Sequence, residues 1–85
     1  MVSTKHNRTL AAIFQTPRRA NVRWADIEAL FRALGADIDE GSGSRVRITL
    51  NGERMTFHRP HPHPETDKGA LVAVRKFLSD AGVSP

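Results

Sequence analysis

The sequence predicts an α+β fold in which helices cover one face of a small three-stranded antiparallel sheet, in the order α-α-β-β-β-α. Three observations carry this. Apolar residues recur at helical spacing in two stretches before residue 36 and in one after residue 66. Between them the period changes to two, in "RVRITL" and "ERMTFH". Those runs flank Asn51-Gly52, the strongest short hairpin signal, because both residues tolerate the positive φ of a tight two-residue turn.

Each element has a local reason. In "STKHNRTLAAIFQTP", Leu10, Ile13 and Phe14 form one stripe, and Pro17 is expected to stop the helix before the basic connector "PRRAN". In "WADIEALFRALG", Ile27, Leu30, Phe31 and Leu34 share a face. Asp26 and Glu28 lie near the favourable positive end of that helix, and Gly35 is a natural stop. "ADIDE" supplies a first strand before the "GSGS" turn. A two-residue turn at Asn51-Gly52 then pairs Leu50 with Glu53, Ile48 with Met55 and Val46 with Phe57, making one apolar face. The last helix carries Leu71, Val74, Leu78 and Ala81 on a stripe flanked by Phe77, with Thr66 or Asp67 to cap its start and Gly82 its end. Val46, Ile48, Met55 and Phe57 are expected to pack on Ile27, Phe31, Leu71 and Val74.

Composition bounds the function. The chain has 85 residues, enough for one small domain. It has no cysteine, which excludes disulfides and thiolate metal sites and fits a reducing cytoplasm. No apolar run approaches the ~20 residues of a membrane span, and "MVSTKHNR" lacks the apolar core of a signal peptide. The reading is a cytoplasmic protein without membrane contact. Thirteen basic against nine acidic residues give a net charge of +4, and ten of the thirteen are arginine. A planar, weakly hydrated guanidinium matches phosphate oxygens, so this bias suits a polyanionic partner.

The hairpin register says where that partner binds. On the face opposite the apolar one, Arg45 lies across from His58, Arg47 from Thr56 and Thr49 from Arg54. Three arginines and a histidine on one exposed face answer no folding requirement, and no acid stands among these hairpin positions. Arg59 follows directly and is counted with Arg45, Arg47 and Arg54 among the residues expected to bind that polyanion.

The segment "FHRPHPHPE" holds His58, His61 and His63 among three prolines. A metal site is disfavoured, because proline holds the intervening backbone stiff and no second ligand cluster completes the set. His61 and His63 read as exposed residues of an extended connector. His58 stands apart, on the arginine face.

The stretches "ALFRALGADIDEGSGSRVRITLNGERMTFHRPH" and "DKGALVAVRKFLSDAGV" resemble the HicA family of bacterial toxins over roughly Val22 to Val83. The resemblance implies a double-stranded-RNA-binding-like domain over residues 22–85; the N-terminal helix and basic connector over residues 1–21 have no counterpart in the family pattern. It also implies a small endoribonuclease that cleaves messenger RNA without a metal or other cofactor. A HicB antitoxin would neutralise it, and the free toxin would be a monomer or weak oligomer. The family carries a histidine required for cleavage just after the Gly-Ser turn, and Ser44 stands there in "GSGSR". A hydroxyl cannot exchange a proton near neutral pH as imidazole does. The expected proton-transfer residue is therefore His58, with Ser44 at most orienting a phosphate. The alternative is a non-catalytic RNA-binding or protein-interaction module derived from the family.

Overall fold

The computed structural model describes residues 3–15 and 22–85, in the predicted order α1 (Thr4–Phe14), α2 (Trp24–Ala33), β1 (Asp37–Glu40), β2 (Arg45–Leu50), β3 (Glu53–His58) and α3 (Lys68–Asp80). Pro17 and the "PRRAN" connector lie outside the described residues. Helix α1 ends at Phe14, followed by extended backbone at Gln15. The Ser3 side chain accepts from the His6 N–H at its start. Asp67, and not Thr66, caps α3, its carboxylate accepting from Ala70 N–H at 2.7 Å.

The two glycine stops work through the same geometry. Gly35 (φ 87°) lets Ala36 N–H reach back to Phe31 C=O and its own N–H to Arg32 C=O, both at 3.0 Å. Gly82 (φ 83°) does the same for α3, with Val83 N–H to Leu78 C=O at 2.8 Å and Gly82 N–H to Ser79 C=O at 3.0 Å. Orphan carbonyls at both helix ends are thereby satisfied.

The sheet is antiparallel in the order β1-β2-β3. Asn51 (φ 50°) and Gly52 (φ 84°) turn the hairpin in the left-handed region, and every β2–β3 pair has the expected register. The Asn51 side-chain amide also donates to Ala81 C=O at 2.8 Å, fastening the hairpin tip to the end of α3.

Helices and sheet meet in one core. Val46, Ile48, Phe57, Ile27, Leu30, Phe31, Leu71, Val74, Phe77 and Leu78 are all buried. Phe31 stacks on Phe57 with centroids 6.0 Å apart and meets Phe77 edge-on at 5.7 Å, an arrangement that favours aromatic quadrupoles. Met55 is only half-buried, because β3 is an edge strand while its partner Ile48 is central. Phe14 and Leu34 are likewise half-buried, at the margins of their stripes.

Helix α1 shares this core through Leu10 and Ile13. Arg75 of α3 fastens its end, its guanidinium donating to Ile13 C=O at 2.9 and 3.1 Å and to Gln15 C=O at 2.9 Å. The proline-rich connector is not extended as expected. It contains a cis His61–Pro62 peptide and bends through Pro62–Pro64. It is held to the start of α2 by Trp24 N–H to Pro64 C=O at 3.0 Å and Thr66 N–H to Val22 C=O at 2.7 Å. His61 and His63 are exposed on it.

Candidate nucleic-acid interface

Alternation along β2 and β3 turns Val46, Ile48 and Phe57 to the helices and leaves Arg45, Arg47, Arg54, Thr56 and His58 exposed. Arg45 pairs with His58 and Arg47 with Thr56, so these four residues occupy two consecutive rungs of the ladder. Side chains of directly paired residues are neighbours, with Cβ atoms about 4.5–5.5 Å apart. Arg54 pairs with Thr49 at the hairpin end. It lies about 13 Å along β3 from His58, at roughly 3.3 Å per residue. The arginine row is therefore a corner, formed by Arg45, Arg47 and His58, with Arg54 as an outlier. Among the described residues, Arg45, Arg47 and Arg54 form no ion pair.

The first strand changes the charge of this face. Asp39 pairs with Arg47 and Asp37 with Thr49, so two exposed aspartates flank the arginines on the β1 side. The face is basic at the β2–β3 corner and acidic along β1, a mixture that the hairpin positions alone do not reveal.

Ser44 is exposed in the turn immediately before β2, and its C=O accepts from Arg59 N–H at 2.9 Å. The ladder thus continues one step past His58. The Arg45 N–H donates to Ser42 C=O at 3.2 Å, and Gly41 N–H donates to Arg45 C=O at 2.9 Å, folding the turn back on β2. A Cβ at residue 41 would stand 3.2 Å from Arg45 Cβ and 3.3 Å from its carbonyl oxygen, so glycine permits the close approach. Among the described residues, no three histidine, aspartate or glutamate side chains are grouped as metal ligands.

Arg59 occupies a different place from the other arginines. It has the parity of Phe57 rather than of His58, and its guanidinium reaches over the helix side. There Nε and Nη2 donate to Glu28 at 2.6 and 3.1 Å, while Nη1 and Nη2 donate to Glu40 at 2.5 and 2.8 Å. Its fork is committed to carboxylates of α2 and β1, a role reading Arg59 with its neighbours in the sequence did not suggest. Glu28 is buried, its side chain 8% exposed, and also accepts from Trp24 Nε1. Burial by itself would raise the Glu28 pKa. The Arg59 and Trp24 hydrogen bonds, with the charges of Arg59 and Arg32, outweigh it and hold the carboxyl below its ordinary value. Hydrogen bonds from Arg59 likewise lower Glu40, and the two carboxylates raise Arg59.

Residues 24–83 match a family described as the HicA toxin of bacterial toxin–antitoxin systems. The chain belongs to the HicA toxin family. The match covers the fold from the first residue of α2 to the residue after Gly82, and so includes Ser44 and the whole sheet. Searches among curated proteins and among solved structures found no match. HicA membership makes this protein the toxin of a toxin–antitoxin pair, with an antitoxin as partner. Among the described residues, no helix is long and apolar enough to cross a membrane.

Proposed function

We propose that this HicA toxin binds RNA on the exposed face of its sheet and cleaves messenger RNA without a metal, His58 serving as the proton acceptor. The observation that carries this is the corner of Arg45, Arg47 and His58, exposed and free of ion pairs among the described residues. Family membership supplies the context. In such cleavage the ribose 2′-oxygen attacks the adjacent phosphorus and the bond to the 5′-oxygen breaks. His58 takes the 2′ proton, water protonates the leaving oxygen, and the arginines offset the charge gathering on the phosphate. Ser44, beside this corner, can donate to a phosphate oxygen but cannot act as the base. Arg54 extends the binding surface toward the hairpin tip. Arg59 supports the corner from behind through Glu28 and Glu40. A HicB-like antitoxin neutralises the toxin by covering the same face.

The serine at the family's histidine position favours a second reading, a domain that binds RNA or protein without chemistry. Binding is tested first. Affinity for a structured RNA should fall steeply with salt, and neutralising Arg45, Arg47 or Arg54 should lower the log–log salt slope by about one phosphate contact each. Absence of binding at low salt, or indifference to all three substitutions, refutes RNA recognition by this face.

A further inference from the structure

We infer that the hollow between the 41–44 turn and the β2–β3 ladder is a seat for a single phosphate. Its lining consists of Gly41, Ser42, Arg45, Val46, Arg47 and Thr56, around a volume of about 300 Å³. The inference rests on the proposed RNA recognition and adds to it. It distinguishes one built anion site from an evenly basic surface.

The chemistry of the lining is one-sided. Two guanidinium groups bring donors and no acceptor, and the hydroxyls of Ser42 and Thr56 can each donate. Neither arginine forms a salt bridge among the described residues, although Asp39 stands across from Arg47, so both guanidinium groups keep donors for a ligand. A phosphate, which presents only acceptors when ionised, satisfies this set, and guanidinium forks match its oxygens in pairs. The volume lies at the small end of the roughly 300–1,000 Å³ typical of ligand sites, which suits a phosphate with its sugar.

The seat is preformed by backbone. Arg45 N–H to Ser42 C=O and Gly41 N–H to Arg45 C=O hold the turn against the strand, with residue 41 lacking the Cβ that would push it away. Its position is also specific. The Arg47–Thr56 rung is next to the Arg45–His58 rung on the same face, so a phosphate held there lies one rung from the imidazole. Asp39 stands across from Arg47 outside this lining, and its charge repels a polyanion from the β1 side. The hollow lined by Trp24, Glu28 and Arg59 lacks this character, since its carboxylate and guanidinium already satisfy each other.

The probe is a dinucleoside monophosphate whose 5′ nucleoside is 2′-deoxy, so that it binds without being cleaved. It is titrated at low salt into isotope-labelled protein, with backbone amide shifts recorded. Shifts should concentrate at Ser42, Arg45, Arg47 and Thr56. Arg47→Gln should weaken binding at least about tenfold, whereas Arg54→Gln should change it less than about twofold. Asp39→Asn should tighten binding by roughly twofold to fivefold, the scale of a like charge one strand away in water. Shifts spread evenly along the face, or equal losses from Arg47→Gln and Arg54→Gln, would overturn the seat while leaving RNA recognition intact. A long RNA titrated in parallel separates the cases, for if it too fails to bind, the underlying reading falls as well.

Discussion

Replacing Arg59 with methionine should be among the most damaging single changes outside the apolar core. The substitution keeps an unbranched stem of similar reach and deletes the guanidinium. Glu28, with its side chain only 8% exposed, then loses the two hydrogen bonds from Arg59 and retains Trp24 Nε1 and the distant Arg32, 3.4 Å away. Breaking one side of a buried ion pair costs about 3–5 kcal/mol. Because the Arg59 side chain is 30% exposed, water can partly replace it, which places the expectation at the low end, about 3 kcal/mol. For a domain of this size that corresponds to a melting temperature lower by roughly 12–24 °C. It is also a large share of a total stability of about 4–13 kcal/mol, reckoned per residue.

The pH dependence gives an independent check. The folded Glu28 carboxyl lies below its ordinary value of 4.5, so its contribution is present above that value and is lost as pH falls through the lower folded one. Arg59→Met removes that contribution, so its stability deficit relative to the parent should shrink as pH falls through the folded Glu28 value. Urea unfolding of the parent, Arg59→Met, Glu28→Met and the double variant measures the coupling. The double variant should be less destabilised than the sum of the singles by at least about 1 kcal/mol, because methionine on both sides leaves no unpaired charge. A cost for Arg59→Met below about 0.5 kcal/mol, or strict additivity in the double variant, would refute the reasoning.

Two further stability predictions follow from the core and the hairpin. Ile48 is fully buried on the central strand, so Ile48→Ala should cost about 2–5 kcal/mol in urea unfolding, and a cost under about half a unit would contradict the face assignment. Asn51→Gly keeps the positive φ of the turn but removes the hydrogen bond to Ala81 C=O, so a loss of about 1 kcal/mol is expected, with the Ala81–Gly82 amides becoming faster to exchange. An unchanged exchange rate there would show that the bond does not hold the hairpin tip to α3.

The hairpin was legible because a two-residue turn leaves no freedom in register. Once Asn51-Gly52 is placed, parity dictates that Arg45 faces His58 and that Phe57 enters the core. The glycine stops at Gly35 and Gly82 were legible for a similar reason, since each follows an apolar stripe at the point where only a left-handed residue closes the helix. The first strand was expected, but its pairing was not. It reaches β2 through a four-residue turn that does not fix register by itself, so Asp37 and Asp39 entered the arginine face unannounced. Arg59 was misplaced by its company in the sequence, although strand parity from Phe57 already points it to the helix side. Its partners, Glu28 and Glu40, lie 31 and 19 residues away. No local pattern marks such a contact, and Glu28 looked like an ordinary acid near a helix start.

The central proposal is that chemistry on this face depends on His58 as the proton acceptor. The direct measurement is cleavage of a long RNA, in excess chelator, by the purified parent, by His58→Ala and by Ser44→His. The account predicts cleavage by the parent and a loss of about 10²–10⁴-fold in His58→Ala, the usual contribution of a positioned proton acceptor. Cleavage that persists undiminished in His58→Ala, or an inert parent that gains activity only in Ser44→His, would contradict it.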